Sequence, residues 1–154
     1  MRLLLMPVCL MITLAAAARG AGPPDFSGTW KMNPARSNFG ANPPLTSYTR
    51  VITHSDGSIT IEDDQRGGLT DVYFKVRYAI GGKASNYNLN GIDMEGTAAW
   101  DKDDLITVAK DTAGIGLATR ARMSLSSQGR ILTVALHAQT PQGAFDVIYV
   151  FDKQ

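Results

Sequence analysis

The sequence predicts an all-β domain, built as a small antiparallel up-and-down β-barrel. About ten short segments rich in Val, Ile, Tyr and Thr follow one another after residue 27, and Gly, Asn or Asp turns separate them. Neighbouring segments are joined by short connections, and no long segment has the period of an amphipathic helix. Gly28-Thr29-Trp30 opens the first segment. Barrels of this size often hold one apolar ligand in their mouth.

The first 20 residues have the pattern of a cleaved secretory signal peptide. Arg2 supplies a positive n-region, residues 3–18 carry no charge, and small residues follow from Ala15 to Gly22. The apolar run is shorter than the ~20 residues that a membrane span needs. We therefore expect a signal peptide over 1–20, one mature domain over 21–154, no stable membrane span, and a secreted or periplasmic location. An uncleaved anchor is the alternative.

Charge and cysteine content argue against several function classes. The chain has 15 Lys and Arg against 14 Asp and Glu, and loss of Arg2 and Arg19 would leave a mature net charge near −1. A nucleic-acid binder would carry a basic excess, so no nucleic-acid partner is expected. The single cysteine, Cys9, lies in the apolar run. The mature domain thus has no thiol nucleophile, no cysteine-based zinc site and no disulfide.

The first five predicted strands end at turns that contain Gly, Asn or Asp. Asp56-Gly57 between two β-rich runs is a strong hairpin signal. Glu62-Asp63-Asp64 is interpreted as a charged turn at the end of the third strand. Residues 71–80 alternate best and predict one buried face, formed by Val72, Phe74, Val76, Tyr78 and Ile80. The five strands are residues 28–33, 47–54, 58–63, 71–80 and 84–89.

The second half of the chain repeats this pattern. Asn90-Gly91 is another tight turn, and Asp101 to Asp104 is interpreted as a solvated hairpin turn rather than a calcium loop. In the last strand both faces are apolar, because Ile148 and Val150 lie opposite the aromatic face. Such a strand is expected to be covered on its outer side or to contact a partner. The five strands are residues 96–101, 105–110, 117–126, 130–140 and 144–152.

One short helical turn is predicted after the first strand. Asn33 is a suitable cap, Pro34 suits the first helical position, and Gly40 would end the segment. A single turn at this place would plug or flank one end of the barrel.

Three stretches resemble a known family. Residues 25–40, which read DFSGTWKMNPARSNFG, are similar to the opening of small secreted bacterial lipocalin-like proteins. Residues 125–134 are similar to a hairpin near their end, and residues 147–153 are similar to their closing strand. Gln128 and Asn38 depart from the usual pattern. The resemblance implies a calycin-like barrel that binds a small lipophile. It also implies that Trp30 packs at the closed end, often under an arginine, so Trp30 is expected in the core.

Four residues are the candidate ligand contacts. Phe74, Tyr78 and Trp100 would provide wall contacts, since Tyr and Trp couple a large ring to a polar tip. Arg122 is a candidate anion anchor, because an arginine suits bidentate binding of a carboxylate. Against this, Arg120 and Arg122 lie opposite an apolar face of the same strand and are expected to point outward. As a further alternative, one of them could instead cover Trp30.

No catalytic constellation is recognisable in the sequence. The two histidines, His54 and His137, have no ligand spacing, although His137 could point into a cavity and bind haem iron. We therefore expect no cofactor, no metal and no enzymatic activity. The leading hypothesis is an exported binding protein for a small hydrophobic molecule. The alternatives are a protein-interaction or inhibitor module with a solid barrel and no identified partner, and a haem-binding or small-molecule-converting barrel.

Overall fold

The chain folds into ten β-strands, along which buried and exposed side chains alternate. The computed structural model describes residues 22–154, so the predicted signal peptide over 1–20 lies outside the described residues. The strands are β1 (Gly28–Met32), β2 (Leu45–Ser55), β3 (Ser58–Gly67), β4 (Val72–Ala79), β5 (Ser85–Leu89), β6 (Ile92–Asp101), β7 (Asp104–Asp111), β8 (Ala118–Leu125), β9 (Ile131–Thr140) and β10 (Gly143–Lys153). The predicted all-β class and the ten strands are confirmed.

All ten strands belong to one antiparallel sheet that curls into a nearly closed barrel. Each strand pairs with its sequence neighbour, and β1 pairs with β10, which gives the order β4-β3-β2-β1-β10-β9-β8-β7-β6-β5. The two outermost strands, β4 and β5, lie side by side without a ladder. The rings of Phe74, Tyr78 and Tyr87 pack between them, with centroids 5.7 and 6.2 Å from the Tyr87 ring. Side chains therefore close most of this seam, and just beyond β4 the amides of Gly81 and Gly82 donate to the Ala98 carbonyl of β6 at 2.9 and 3.1 Å.

The connections divide the barrel into two ends. Those that follow odd-numbered strands, such as the β1–β2 segment and the β7–β8 loop, meet at one end, which we call the mouth. The other end, the base, holds the remaining turns. The buried rings of Phe26 and Trp30 form part of the core, and the Trp30 indole donates a hydrogen bond to the Phe26 carbonyl at 3.0 Å. Lys153 Nζ lies 5.1 Å from the Trp30 ring centroid, so a lysine takes the place expected of an arginine.

The segment between β1 and β2 forms turns, and no helix is assigned within residues 22–154. Two overlapping turns replace the expected helical turn, with the amides of Arg36 and Ser37 bonded to carbonyls three residues earlier at 3.2 and 3.3 Å. The segment cannot coil further because Asn38 is bridged to Ile148 of β10. It therefore lies along the outer side of β10 and covers the second apolar face of that strand at Val150, whereas Ile148 stays exposed.

Gly96 on β6 is a position at which the packed barrel interior leaves no room for a side chain. A Cβ there would lie 2.9 Å from Tyr78 Cε1 and 3.1 Å from the Ala109 Cβ. We expect Gly96→Ala to lower the free energy of unfolding by about 1–3 kcal/mol, because an overpacked core must shift. Urea denaturation measures this. Ala99→Ser, on the exposed face of the same strand, is the control, and equal stability of both variants would contradict the close packing of Tyr78.

Candidate functional site

An internal cavity of about 250 Å³ lies between the middle of the barrel and its mouth. Ile61 and Val76 line it near mid-barrel, while Leu117 and Thr140 line it near the strand ends at the mouth. Most of its wall is aliphatic or aromatic. This is the composition of small-molecule sites, in which a few polar groups among apolar walls fix the orientation of a ligand.

Strand periodicity places three polar residues among the apolar lining. Tyr48 and Arg50 share the inner face of β2 with buried Ile52, and Asp63 follows Ile59 and Ile61 on the inner face of β3. Arg50 and Asp63 are also direct cross-strand partners in the β2–β3 ladder. The register of one hairpin therefore brings an arginine and a carboxylate together inside the barrel, and we call Tyr48, Arg50 and Asp63 the polar cluster.

Short hydrogen bonds connect the members of the polar cluster. Arg50 donates to the carboxylate of Asp63 twice, from Nε to Oδ1 at 2.7 Å and from Nη2 to Oδ2 at 2.6 Å. The Tyr48 hydroxyl donates to Asp63 Oδ2 at 2.6 Å and accepts from Arg50 Nη2 at 2.7 Å. Arg50 Nη1 lies 3.3 Å from the Met123 sulfur. The side chains of Arg50 and Asp63 are only 9% and 0% exposed, so this is a buried bidentate ion pair.

Burial and the ion pair shift the pKa of Arg50 in opposite directions. Burial opposes the charge of Arg50, but the adjacent Asp63 carboxylate outweighs it and raises the pKa of Arg50 above its usual value. Burial also raises the pKa of the Tyr48 hydroxyl well above its usual range. Arg50 thus stays charged and Tyr48 stays neutral and protonated at physiological pH, with Asp63 as the counter-charge.

Three further tyrosines line the cavity. Tyr149 packs edge-on against Tyr48 with a centroid distance of 5.1 Å, and Tyr78 packs edge-on against Tyr87 at 6.2 Å. Burial raises the pKa of each of the three hydroxyl groups. They are therefore neutral groups that can exchange hydrogen bonds with a ligand while their rings supply apolar wall.

These raised tyrosine pKa values predict a loss of stability in alkali. The ordinary pKa of 10.0 applies to the unfolded chain, and the folded pKa lies above it. Stability from the protonated hydroxyls is therefore complete below about pH 10 and falls as the pH rises through the folded pKa. We expect tyrosinate absorbance to appear at higher pH in the folded protein than in urea. Coincident titration curves would contradict the burial of these rings.

The structure brings together two of the four candidate ligand contacts. Phe74 and Tyr78 lie on the inner face of β4 and line the cavity. Trp100 lies instead near the base end of β6, where its ring packs on Phe26 and His54 at centroid distances of 5.9 and 5.7 Å. Trp100 is therefore separated from the cavity, because its position near the end of its strand carries it to the base.

Arg122 is placed on the outer face of the barrel and does not line the cavity. It donates to Asp104 Oδ2 at 2.6 Å and to Asp101 Oδ2 at 2.5 Å, beside the β6–β7 turn. Ala121 and Met123 take the inner face of β8, so Arg122 and the exposed Arg120 point outward, which is the register that the alternation favoured. Arg122 accordingly cannot anchor an anion inside the barrel.

Neither histidine lines the cavity. His137 is exposed on the outer face of β9, where its Nδ1 lies 2.8 Å from Asp146 Oδ1, so the hypothesis that it points inward is corrected. His54 lies at the base with Nδ1 3.7 Å from Asp25 Oδ1. Within residues 22–154 no group of three or more His, Cys, Asp or Glu side chains is arranged to hold a metal ion. The same residues contain no helix long and apolar enough to cross a bilayer.

The interpretation of the sequence missed the polar cluster. Glu62-Asp63-Asp64 was expected to form a turn, but β3 continues to Gly67 and Asp63 is fully buried. A signal for it exists in the sequence. Arg50 falls in phase with Tyr48 and Ile52, and Asp63 falls in phase with Ile59 and Ile61. Two opposite charges, each on the apolar face of a hairpin strand, predict a buried pair once the second strand is extended.

Known proteins match this chain in fold. No family model matches the sequence, and no curated protein matches it in sequence. Human cRBP IV superposes with a TM-score of 0.56 at 16% identity, covering 86% of this chain and 100% of that one. The wild-type fluorescent protein UnaG superposes with a TM-score of 0.57 at 17% identity, covering 84% and 97%.

A third solved structure is secretory abundant heat soluble protein 4 from Ramazzottius varieornatus. Its TM-score is 0.62 at 11% identity, and the match covers 89% of this chain and 99% of that one. At such identities the likeness shows the fold alone. The fold that they share with this chain is a lipocalin-like β-barrel.

Proposed function

We propose that this protein binds a small, mainly apolar molecule inside the barrel. The observation that carries the proposal is the cavity of about 250 Å³, whose wall is largely apolar and whose polar groups converge from β2, β3, β4 and β10. Ligand pockets typically measure about 300–1,000 Å³, and this cavity lies just below that range, so a small ligand fits best. Phe74 and Tyr78 are the wall contacts in this proposal.

Access to the cavity is proposed to run through the mouth. A smaller hollow of about 130 Å³ adjoins the cavity and shares Phe145 and Tyr149 with it. This hollow lies between the β1–β2 segment and the β3–β4 turn, where Phe39 and Leu69 line it. Leu69 is 87% exposed at the tip of that turn. An exposed leucine beside an opening gives an apolar ligand a favourable first contact.

A carrier without enzymatic activity is the function class that we favour. The Asp63 carboxylate accepts hydrogen bonds from Arg50 and Tyr48 within the polar cluster, and this arrangement favours a role in orienting a ligand over one in proton transfer. The alternative of a solid interaction module requires a filled interior, and the cavity argues against it. The hypothesis of a haem-binding barrel rested on an inward His137, and both histidines lie away from the cavity.

Export is part of the proposal and rests on the N-terminal sequence pattern. Cleavage after about residue 20 would release the domain into the periplasm or the medium. Expression of the full chain in a bacterial host, followed by cell fractionation and N-terminal sequencing, tests this. Recovery of the protein in the cytoplasm with Met1 intact would overturn it.

Native mass spectrometry tests ligand binding directly. The purified protein is incubated with a total lipid extract, separated from excess lipid, and measured under native and denaturing conditions. We expect a reproducible added mass of a few hundred daltons or less that is lost on denaturation. A clean apo mass after exposure to the extract would contradict the proposed function and favour a protein partner.

A further inference from the structure

We infer that the cavity selects ligands whose polar group is uncharged, such as a hydroxyl or carbonyl, and discriminates against carboxylates. This inference rests on the proposed function and adds the class of ligand. Its basis is the charge balance of the polar cluster. Among the described residues that line the cavity, Arg50 and Asp63 are the two with charged side chains, and they neutralise each other at 2.6 Å.

The hydrogen-bonding capacity of Arg50 is largely used. Nε and Nη2 bind the Asp63 carboxylate, Nη2 also binds the Tyr48 hydroxyl, and Nη1 faces the Met123 sulfur. A ligand carboxylate would therefore find no free bidentate fork. It would also come close to the Asp63 carboxylate, whose negative charge repels it across a medium of low dielectric constant.

A charged head group would also lose its hydration without compensation. Moving a carboxylate from water into an apolar site is very costly unless a counter-charge is free to pair with it. At the mouth, Arg66 is itself paired with Asp64 at 2.6 Å and with Asp71 at 3.2 Å, which leaves a local excess of negative charge. Neither the interior nor this part of the rim offers an unpaired cation.

Neutral polar groups meet suitable partners in the same cavity. The lining includes the hydroxyls of Tyr78, Tyr87 and Tyr149, together with Thr107 and Thr119. Hydroxyl groups can both donate and accept, so they satisfy an alcohol or a carbonyl without requiring a charge. Burial keeps the tyrosine hydroxyls protonated, which preserves their donor capacity. The cavity thus fits a small lipophile with one uncharged polar group.

Titration calorimetry with decan-1-ol and decanoate tests the selection. Both probes have the same chain length and differ in head-group charge. At pH 8 we expect the wild-type protein to bind decan-1-ol at least tenfold more tightly than decanoate. At pH 5 the difference in affinity between the two probes should be smaller, because a large fraction of the decanoic acid is then neutral. If only the neutral acid binds, the apparent affinity for decanoate falls by up to roughly tenfold for each pH unit above the pKa of the acid. No histidine lines the cavity, so the change in decanoate affinity between pH 8 and pH 5 would not come from titration of a histidine in the wall.

Asp63→Asn provides a second test, with Asp146→Asn as its control. The first substitution leaves the charge of Arg50 uncompensated inside the cavity, so decanoate affinity at pH 8 should rise at least tenfold. Asp146→Asn removes one negative charge from the exposed outer face of β10 and should leave the affinities for decan-1-ol and for decanoate unchanged. If Asp63→Asn does not fold, the wild-type comparison at the two pH values decides alone.

The outcomes separate this inference from the proposed function. Binding of decanoate at pH 8 within tenfold of decan-1-ol, or more tightly, overturns the selection for uncharged groups and leaves a ligand-binding barrel in place. Failure of both probes to bind overturns the inference, and combined with a clean apo mass after the lipid extract it also overturns the proposed function.

Discussion

Replacing Asp63 by alanine is expected to lower the free energy of unfolding by about 3–5 kcal/mol. The substitution leaves the guanidinium of Arg50 buried without its counter-charge and removes the acceptor of the Tyr48 hydroxyl. An isolated charge in an apolar interior is far more costly than an exposed one. Urea denaturation followed by far-ultraviolet circular dichroism measures the change against the wild type.

Two comparisons make this result specific to the buried pair. Glu62→Ala alters the neighbouring residue, whose carboxylate forms an exposed ion pair with Lys75, and should leave the unfolding midpoint nearly unchanged. The double substitution Arg50→Met with Asp63→Leu removes both charges together. It should be more stable than Asp63→Ala, since apolar groups of similar volume often replace a buried ion pair without loss. A double variant as unstable as Asp63→Ala would contradict this account.

Filling the cavity is expected to abolish ligand binding while the barrel persists. Ala121 on β8 lines the cavity, and its cross-strand partners Thr107 and Leu136 line it too. A phenylalanine at 121 would project into the space that we assign to the ligand. We expect affinity for the ligand found by mass spectrometry to fall at least tenfold, which corresponds to about 1.4 kcal/mol. Titration calorimetry measures the affinity, and circular dichroism confirms folding.

Substitutions on the outer face provide the matched controls. Ala135→Phe introduces the same ring on the exposed side of β9, and Arg122→Ala removes the residue next to Ala121 together with its pairs to Asp101 and Asp104. Both should leave affinity unchanged. Binding that survives Ala121→Phe but is lost in either control would place the ligand outside the barrel and contradict the proposed site.

Much of the barrel could be predicted because the signals for its turns and strands lie within a few neighbouring residues. Turn signals such as Asp56-Gly57 and Asn90-Gly91 mark strand ends, and alternation along 71–80 identifies an inner face that the structure confirms. The outward direction of Arg122 also follows from alternation on β8. The helical turn after β1 was less predictable, because contacts with Ile148 and Val150 of β10, far along the chain, shape that segment.

The candidate site depended on non-local facts. Phe74 and Tyr78 were found because they lie on the apolar face of a strongly alternating strand, and that face turns inward whatever its partner strands are. Trp100 also lies on the inner face of its strand, β6, but it is far enough along the barrel axis toward the base to be separated from the cavity. Periodicity reports the direction of a side chain but not its depth in the barrel, which is set by the register of all the intervening strands.

By itself, the sequence determined the all-β class, the ten strands, their neighbour-to-neighbour order and most inner faces, because turn chemistry and period-two burial act over a few residues. Only the tertiary structure decided that the interior keeps a cavity, that Arg50 and Asp63 neutralise each other within it, and that Trp100 lies away from it at the base. Those properties depend on cross-strand register and on how completely side chains from opposite walls fill the space between them, and both are set by the closure of the barrel.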